Sequence, residues 1–517
     1  MNANEVKIIF ALSMIKGLGD TKLRNLLSQF GLPSKVVEAD LELLAQAVGD
    51  KLASEIKELR DYDRASKYYE KIKNLGVMLG GSRDQDDGYR QNDWFQRHSV
   101  NSSLQWDISP FQHLTISGNF MTKKRGNFLY WQDLNHALQP PLEQRDDRVE
   151  TQRYYLSGNY RYILNKNRYL TIRGIWYHNH FEDNVSKGSG NISTSQNLNT
   201  EIQFNSQIGS IFLTTGLEGT WNSATSNIFG NRNGYGSAAY IQGEWELSKR
   251  LKGNFGVRFD YFTLDSVKSD YRFNPKVGIV FKPFSGGALR SSIGFGFRAP
   301  SIAEAFTSTS AGGFRVVPNT NLRAEKSFSF EIGWNQILTP WIATDLATFY
   351  NRYADLIEGT FQKSLQVQFQ NITKARIQGI ELNLNGGIWN KKIQYRLGYT
   401  YVDPRDLEND QFLIFRPRHL LQSNLQFNFY VFHLGLDYRY ISKYDRIDER
   451  LALLIPDAEK RVPVHVVDVQ FLTNFRLGQL PCSTSLQINN LLRYNYVDLV
   501  GALAPLRHFI LTFQAGM

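Results

Sequence analysis

The chain has 517 residues, a formal net charge of +10 and a single cysteine, Cys482. One cysteine excludes a disulfide framework and any zinc or iron–sulfur site that needs several cysteines. No run of about eighteen apolar residues occurs, so the sequence predicts no transmembrane helix. Tryptophan is absent before residue 80, and aromatic residues are frequent after it. This change in composition indicates two unlike pieces, 1–80 and 81–517.

The first piece has helical periodicity. From residue 8 onward, apolar residues recur at spacings of three and four, as one face of a helix requires. Asp20 is a candidate N-cap, and Gly31 with Pro33 predicts the end of the helix that Asp20 starts. Further helices fit 41–48 and 51–73, and Gly76 is the predicted stop of the second of these. The sequence therefore predicts a small N-terminal all-α domain.

A glycine-bracketed turn separates two of these helices, with the sequence IKGLGDTK from Ile15 to Lys22. The turn resembles the helix-hairpin-helix, and over about 5–78 the chain resembles the N-terminal domain of the DNA-processing protein DprA. The resemblance implies that backbone N–H groups of Gly17, Leu18 and Gly19, with Lys22 nearby, contact a DNA phosphate. Positive and negative charges nearly balance over 1–80, so no broad basic footprint supports this contact. A tight turn that only packs two helices is the alternative interpretation.

The second piece alternates between apolar and polar residues. From Leu289 to Ala299 the odd positions are mainly apolar, while the even positions are small or charged. A β-strand sends successive side chains to opposite faces, so this pattern predicts a strand between two different solvents. Strands of about twelve residues suit a tilted crossing of a bilayer. About nineteen such strands are predicted, near 97–107, 112–122, 152–163, 168–181, 199–208, 210–222, 236–247, 251–263, 272–283, 287–299, 325–336, 341–353, 366–386, 392–402, 416–428, 431–442, 462–475, 483–495 and 506–517.

The connections between these strands alternate in length. Short turns such as Asn165-Lys166 and Ser285-Gly286 alternate with long polar segments such as 123–150 and 300–324. Tight periplasmic turns and long outer loops are the pattern of outer-membrane β-barrels. A soluble β-sandwich is not expected to alternate short and long connections in this regular way.

Several motifs carry a family resemblance. The segments Gly294 to Phe306 and Pro318 to Trp334, "NITKARIQGIELNLNG" from Asn371, "LQINNLLRYNY" from Leu486 and "PLRHFILTF" from Pro505 resemble the signature regions of TonB-dependent outer-membrane receptors. The resemblance covers about 81–517. It implies a 22-stranded barrel in the outer membrane that takes up iron chelates such as siderophores, cobalamin or similar scarce ligands, with energy from the TonB complex.

The sequence departs from that family at its N-terminal end. Glu5 and Lys7 interrupt any apolar signal-peptide core, and there is no room for a plug domain or a TonB-coupling segment before residue 81. The expected fold is therefore mostly β, an incomplete transmembrane antiparallel barrel of about 19 of 22 strands after a small all-α domain. We interpret the junction near residue 80 as a fusion and expect a non-functional chain or an ungated pore.

The sequence contains no catalytic constellation and predicts neither an enzyme, a cofactor nor a metal site. His178 and His180 share one strand face and could bind a metal, but without a third ligand nearby in the sequence we interpret them as lumen or rim residues. Arg298 and Glu325 flank a long loop and match the receptor signature, and a structural pair explains them equally well. The transported ligand and its binding residues are not specified by the outer loops. Strand-end aromatic residues predict an interfacial belt, including Tyr130, Trp131, Tyr261, Trp341 and Tyr440.

The competing hypothesis is a DNA-associated, DprA-like protein that acts through its helix-hairpin-helix. It predicts salt-sensitive DNA binding by residues 1–80, whereas the receptor hypothesis predicts outer-membrane lipid, TonB and a small nutrient ligand as partners. A third possibility is a chain without a cellular role.

Overall fold

The computed structural model describes residues 5, 8, 9, 12, 15, 18, 20–58, 75–185, 190–311, 314–362, 366–453 and 455–516. These residues form two units. The first consists of Met1–Gly80, Val100–Asn119 and Leu156–Gly174, and the second of Gly81–Ser99, Phe120–Tyr155 and Ile175–Met517. Within the described residues no helix is both long and apolar enough to span a membrane.

Among the described residues, four short helices have defined bounds before the first strand, and residues 5, 8, 9 and 12 are also helical. Glycine and proline set several of the helix ends. Gly31 and Gly49 have positive φ angles of 84° and 92°, which glycine adopts without steric cost and which stop a helix. Pro33 starts the second helix, where its missing N–H needs no partner. The helices are α1 Asp20–Phe30, α2 Pro33–Glu38, α3 Leu41–Val48 and α4 Asp50–Glu58.

A small hydrophobic core joins these helices. Leu12, Leu26, Val36, Leu44 and Ile56 are each fully buried in it. The predicted helix over 41–48 is confirmed. The predicted helix over 51–73 is described only as far as Glu58, and the rest of that prediction lies outside the described residues.

The remainder of the chain is mostly strand. The long strands are β1 Leu75–Asp86, β2 Phe95–Ser109, β3 Gln112–Gly126, β4 Arg148–Asn165, β5 Arg168–Asn184, β6 Ile192–Ile208, β7 Ile211–Ser226, β8 Gly230–Glu246, β9 Leu251–Leu264, β10 Val267–Phe281, β11 Gly287–Arg298, β14 Glu325–Thr339, β15 Ile342–Phe361, β16 Gln366–Ile388, β17 Ile393–Asp406, β19 His419–Phe429, β20 Phe432–Ile441, β21 Val464–Leu477, β22 Leu480–Asn489 and β25 His508–Ala515. Short outer elements are α5 Ile302–Phe306, β12 Thr309–Ala311, β13 Phe314–Val317, β18 Gln411–Phe412, β23 Val497–Leu499 and β24 Ala502–Leu503, with 3₁₀ turns at Leu142–Gln144 and Glu449–Leu453.

The long strands pair antiparallel with their neighbours in the chain, as in a meander. Examples are β6 with β7, β10 with β11, β15 with β16 and β22 with β25. A parallel pair forms between β13 and β16, where an outer loop folds onto the sheet. All nineteen predicted strands are found. The structure adds β1, which crosses residue 80 and contains Gly76, a residue that the sequence predicted to end a helix.

The two faces of the sheet differ as the alternation predicts. Opposite residues in an antiparallel ladder share a face, and β11 pairs Phe295 with Phe328 and Leu289 with Trp334. Phe295 is 51% exposed, although its ring packs against the Phe328 ring with 5.3 Å between the ring centroids. Repeated along many strands, such exposure of large apolar side chains is a surface made for lipid.

Candidate functional site

The inner, polar face of the strands carries ion-pair networks. Arg258 on β9 donates to Glu218 on β7 at 2.9 Å and to Asp260 at 2.8 Å. Arg290 on β11 makes a bidentate pair with Asp345 on β15, at 2.7 and 2.8 Å, and reaches Glu331 at 3.1 Å. Each network ties neighbouring strands together and keeps this face charged. The face therefore suits water and polar solutes, not lipid.

A polar cavity of about 920 Å³ continues this inner face toward the short turns. Asn383, Arg396, Asn424 and Asp437 contribute to its lining, and Asn424 donates to Asp437 at 2.7 Å. These side chains come from β16, β17, β19 and β20. The cavity offers hydrogen-bond donors and acceptors to a polar guest.

At the outer end of β11, one arginine joins three parts of the chain. The Arg298 guanidinium donates to both oxygens of Glu325, at 2.6 Å each, and to both oxygens of Glu304, at 2.9 Å each. Glu304 lies in α5, so Arg298 ties the loop between β11 and β14 to the ends of both strands. We call Arg298, Glu304 and Glu325 the loop latch. The structural pair of Arg298 and Glu325, one of the two interpretations of these residues, is present.

The helix α5 is built to present Glu304 to the latch. Ser301 caps its N-terminus and accepts from the Glu304 backbone N–H at 3.2 Å, while the Glu304 carboxylate accepts from the Ser301 N–H at 2.8 Å. This reciprocal pair is a capping box. Ala305 and Phe306 then bury against Leu264, Leu322 and Ile357. Capping and packing together hold the carboxylate in place.

A second set of contacts fastens the other end of the same loop. Asn371 exchanges hydrogen bonds with the Arg323 backbone, both at 2.9 Å, and donates to the Asp355 carbonyl at 2.7 Å. Asp355 has a positive φ of 58° and accepts an ion pair from Arg323 at 2.6 Å. Asn371 belongs to a motif that resembles the receptor family, but no local pattern in the sequence marks it as a residue that fastens the loop. Its role appears only once β15 and β16 are in register.

The latch should respond to acid. Burial alone would raise the pKa of Glu304, but hydrogen bonds from Arg298 and Ser301 outweigh it and lower that pKa below the ordinary 4.5. Because the ionised carboxylate is favoured in the folded state, it stabilises the closed loop above pH 4.5. This stability is lost as the pH falls through the lowered pKa of Glu304 in the folded state.

We expect amide protection of Ala305 and Thr307, corrected for intrinsic exchange, to fall only below about pH 4.5. Glu304→Gln keeps a capping side chain and should abolish this acid dependence; an unchanged profile in that variant would contradict the assignment.

A separate outer cluster surrounds Trp131. Its ring is fully buried against Ile455 and Ala458, its Nε1 donates to the Pro456 carbonyl at 2.8 Å, and its backbone N–H donates to the Gly501 carbonyl at 2.7 Å. The prediction that Trp131 lies in the interfacial belt was wrong, because three outer loops enclose it. Tyr130 lies in the same loop cluster. Tyr261 and Trp341 are 42% and 51% exposed, as belt residues should be.

The predicted DNA-contact residues are only partly described. Leu18 is 3% exposed within the helical core, and its N–H already donates to the Ile15 carbonyl at 3.0 Å. Lys22 lies exposed on α1, and Gly17 and Gly19 lie outside the described residues. A buried residue with a satisfied N–H is poorly placed to bind phosphate. DNA contact stays a prediction.

The two strand histidines lie on the lipid-facing side of β5. His178 stacks on Tyr154 with 4.4 Å between ring centroids, and His180 hydrogen-bonds Thr194 at 2.8 Å. Among the described residues, no group of three or more His, Cys, Asp or Glu side chains is arranged to hold a metal. The histidines therefore do not face the lumen, as the sequence allowed, and packing within the aromatic surface accounts for both.

Comparisons with known proteins agree with this architecture. The family described as "TonB dependent receptor-like, beta-barrel" matches residues 55–491. The vitamin B12 transporter BtuB of Vibrio vulnificus (strain YJ016) is 31% identical over 151 residues, which are 28% of this chain and 22% of that protein. The aligned part is thus about a fifth of the length of this curated relative.

Solved structures show the same fold. The ferric-catecholate import receptor Fiu of E. coli K12 matches with a TM-score of 0.66 and 16% identity, over 85% of this chain and 77% of that one. The FrpB iron transporter of Neisseria meningitidis matches with a TM-score of 0.67 and 14% identity, over 85% and 76%. Likeness at such low identity concerns the fold alone.

Proposed function

Because this chain belongs to the TonB-dependent receptor-like β-barrel family, we propose that it forms the barrel of an importer for a scarce chelated nutrient. The family is a receptor family of the outer membrane, and the outer membrane is where this chain resides. The proposed cargo is an iron chelate, a cobalamin or a ligand of similar size and polarity. TonB is the proposed source of energy.

The polar inner face is the observation that carries this proposal. Arg258 and Arg290 hold carboxylates from neighbouring strands along that face, so a route beside them favours hydrated, polar cargo over lipid. The named relatives are a vitamin B12 transporter, a ferric-catecholate import receptor and an iron transporter, and a polar route suits such cargo. The loop latch lies beside the outer entrance, where a closing loop would control access.

Binding is the direct test of the ligand class. The full chain, folded in detergent, should bind cyanocobalamin or a ferric catechol chelate more tightly than glucose, measured by quenching of tryptophan fluorescence. Equal or absent binding of all three would contradict the proposed cargo without affecting the barrel assignment.

We also propose that this chain by itself does not transport actively and conducts ions as an open pore. In planar bilayers, the folded chain should give discrete, voltage-independent steps, because its inner face is polar and hydrated. Small neutral polymers that enter the pore should lower the step size, while large ones should not. The same preparation after heat denaturation serves as the control. Tight closure, or noise without discrete steps, would contradict the pore.

DNA association through the N-terminal turn is a separate hypothesis, and the burial of Leu18 does not favour it. This hypothesis is tested by measuring the binding of duplex DNA to the full chain, which should weaken as the salt concentration rises.

A further inference from the structure

Three arginines on neighbouring strands stand side by side. Arg352 on β15 pairs in register with Arg376 on β16, and Arg376 pairs with Arg405 on β17. Like charges directly opposite each other are destabilising in a sheet. We call these three residues the arginine row. Its unfavourable self-repulsion calls for an explanation.

The arginine row lies on the lipid-facing side of the sheet. Arg352 is directly opposite Phe328 on β14, and Phe328 packs against the lipid-facing Phe295. Opposite residues share a face, and the register from β15 to β17 continues from Arg352 down to Leu346 without a shift. The row therefore continues the lipid-facing surface toward the outer loops.

The rows beneath it change from apolar to polar along the strands. Leu346, Leu382 and Tyr399 form one row, and successive rows above it are Thr348, Ile380 and Tyr401, then Tyr350, Gln378 and Asp403. Six residues separate the leucine row from the arginine row, about 20 Å along a strand. With a strand tilt of about 40°, this is roughly 15 Å along the membrane normal. Trp341, an exposed residue at the short-turn end of β15, lies five residues before Leu346, about 13 Å along the membrane normal. The leucine row is therefore near the middle of an apolar band of about 25 Å, and the arginines reach the level of lipid headgroups.

The row carries more positive charge than its neighbours neutralise. Asp403 accepts from Arg376 at 2.8 Å and from Arg405 at 3.1 Å, whereas Arg352 is exposed and has no ion-pair partner among the described residues. A fourth guanidinium, Arg418, stacks on Phe412 at 4.7 Å, and Arg405 covers the same ring at 3.9 Å. Asp403 therefore hydrogen-bonds two of these four guanidinium groups, and Arg418 donates to the neutral Tyr401 hydroxyl at 2.9 Å.

The three arginines of the row keep part of their guanidinium groups accessible. Arg352 is exposed, and the side chains of Arg376 and Arg405 are 28% and 30% exposed, so an external phosphate can reach their N–H groups. Guanidinium groups bind phosphate oxygens in bidentate geometry, and the bond is strongest where water is scarce. The tyrosine and leucine rows below would contact acyl chains of the same molecule.

We propose that the arginine row, with Arg418, binds the phosphates of a lipid headgroup in the outer leaflet. The lipid supplies the negative charge that the row lacks, and its chains lie along the Leu382 and Tyr399 surface. This contact goes beyond cargo transport, because it lies on the opposite side of the sheet from the polar inner face.

The test uses the full chain in detergent and lipid A with two phosphates as the probe. Native mass spectrometry should show retained lipid A on the unmodified chain, and R352Q/R376Q/R405Q should weaken retention by on the order of 100-fold, roughly fivefold for each cation removed. The matched control is K249Q/R250Q/K282Q, which removes three exposed cations at the short-turn end. Equal retention by both triple variants would overturn the proposal.

Further arms separate lipid binding from simpler explanations. R352Q alone, which breaks no ion pair among the described residues, should weaken retention about fivefold in a chain that stays folded by its heat-modifiable electrophoretic mobility. Asp403→Asn should strengthen retention, because it removes the competing carboxylate. Inorganic phosphate at equal phosphate concentration should not displace lipid A; displacement, or weaker retention in Asp403→Asn, would overturn the proposal.

Discussion

Leu382→Arg is expected to lower the free energy of unfolding by about 2–4 kcal/mol, the cost of a cation near the bilayer midplane on a barrel surface. Leu382 is in register with Leu346 and Tyr399 on the lipid-facing side. An arginine at this position would lose the hydration of its guanidinium group and would gain no carboxylate as an ion-pair partner. The measurement is reversible denaturant unfolding of the chain in phospholipid vesicles, followed by tryptophan fluorescence.

The neighbouring Asn383 supplies the matched control. It lies on the polar inner face and lines the cavity there, so Asn383→Arg should cost less than about 1 kcal/mol because the new cation stays hydrated. Two adjacent positions thus receive the same charge and differ only in the face they occupy. Equal costs at both positions would contradict the division of the sheet into a lipid side and a water side.

Arg298→Ala is expected to release the outer loop between β11 and β14. The substitution leaves Glu304 and Glu325, which are 16% and 13% exposed, without their shared cation. Charge-assisted bonds of this kind contribute about 1–2 kcal/mol when half exposed, so hydrogen exchange in the loop should be roughly 5- to 30-fold faster. The informative amides are those of Ser308 and Asn319, which donate to Ile228 and Ala305.

Two variants make this result specific to the latch. Arg315→Ala removes an exposed arginine from the same loop, one without an ion pair among the described residues, and should leave exchange unchanged. Arg298→Lys should restore little, because an ammonium cannot match two carboxylates in bidentate geometry. Full protection in Arg298→Lys would show that a simple positive charge suffices and would contradict the geometric role.

Local pattern was enough to locate the crossing strands. Alternation over about ten residues is visible without any partner strand, and every predicted strand has a counterpart in the structure. The prediction missed β1 because three apolar positions are followed directly by Gly80 and Gly81. Glycine has no side chain to mark a face, so the alternation there was too short to see.

The sequence contains a pattern that predicts part of the loop latch. Ser301 and Glu304 have the spacing of a capping box, and that spacing alone predicts a helix start within the loop. Joined to the predicted pair of Arg298 and Glu325, it would have suggested the third member. Trp131 gave no such signal, because Ile455 and Gly501, which enclose it, lie more than 300 residues away in the chain.

The sequence by itself determined which side chains face lipid and which face water, because a strand alternates its faces with a period of two, whatever its partners are. Only the tertiary structure decided which residues meet across strands and loops. The arginine row requires the register of three strands, the latch requires the folding of a loop, and the Trp131 cluster requires three loops at once. Register and loop closure depend on contacts between distant segments, which no local pattern contains.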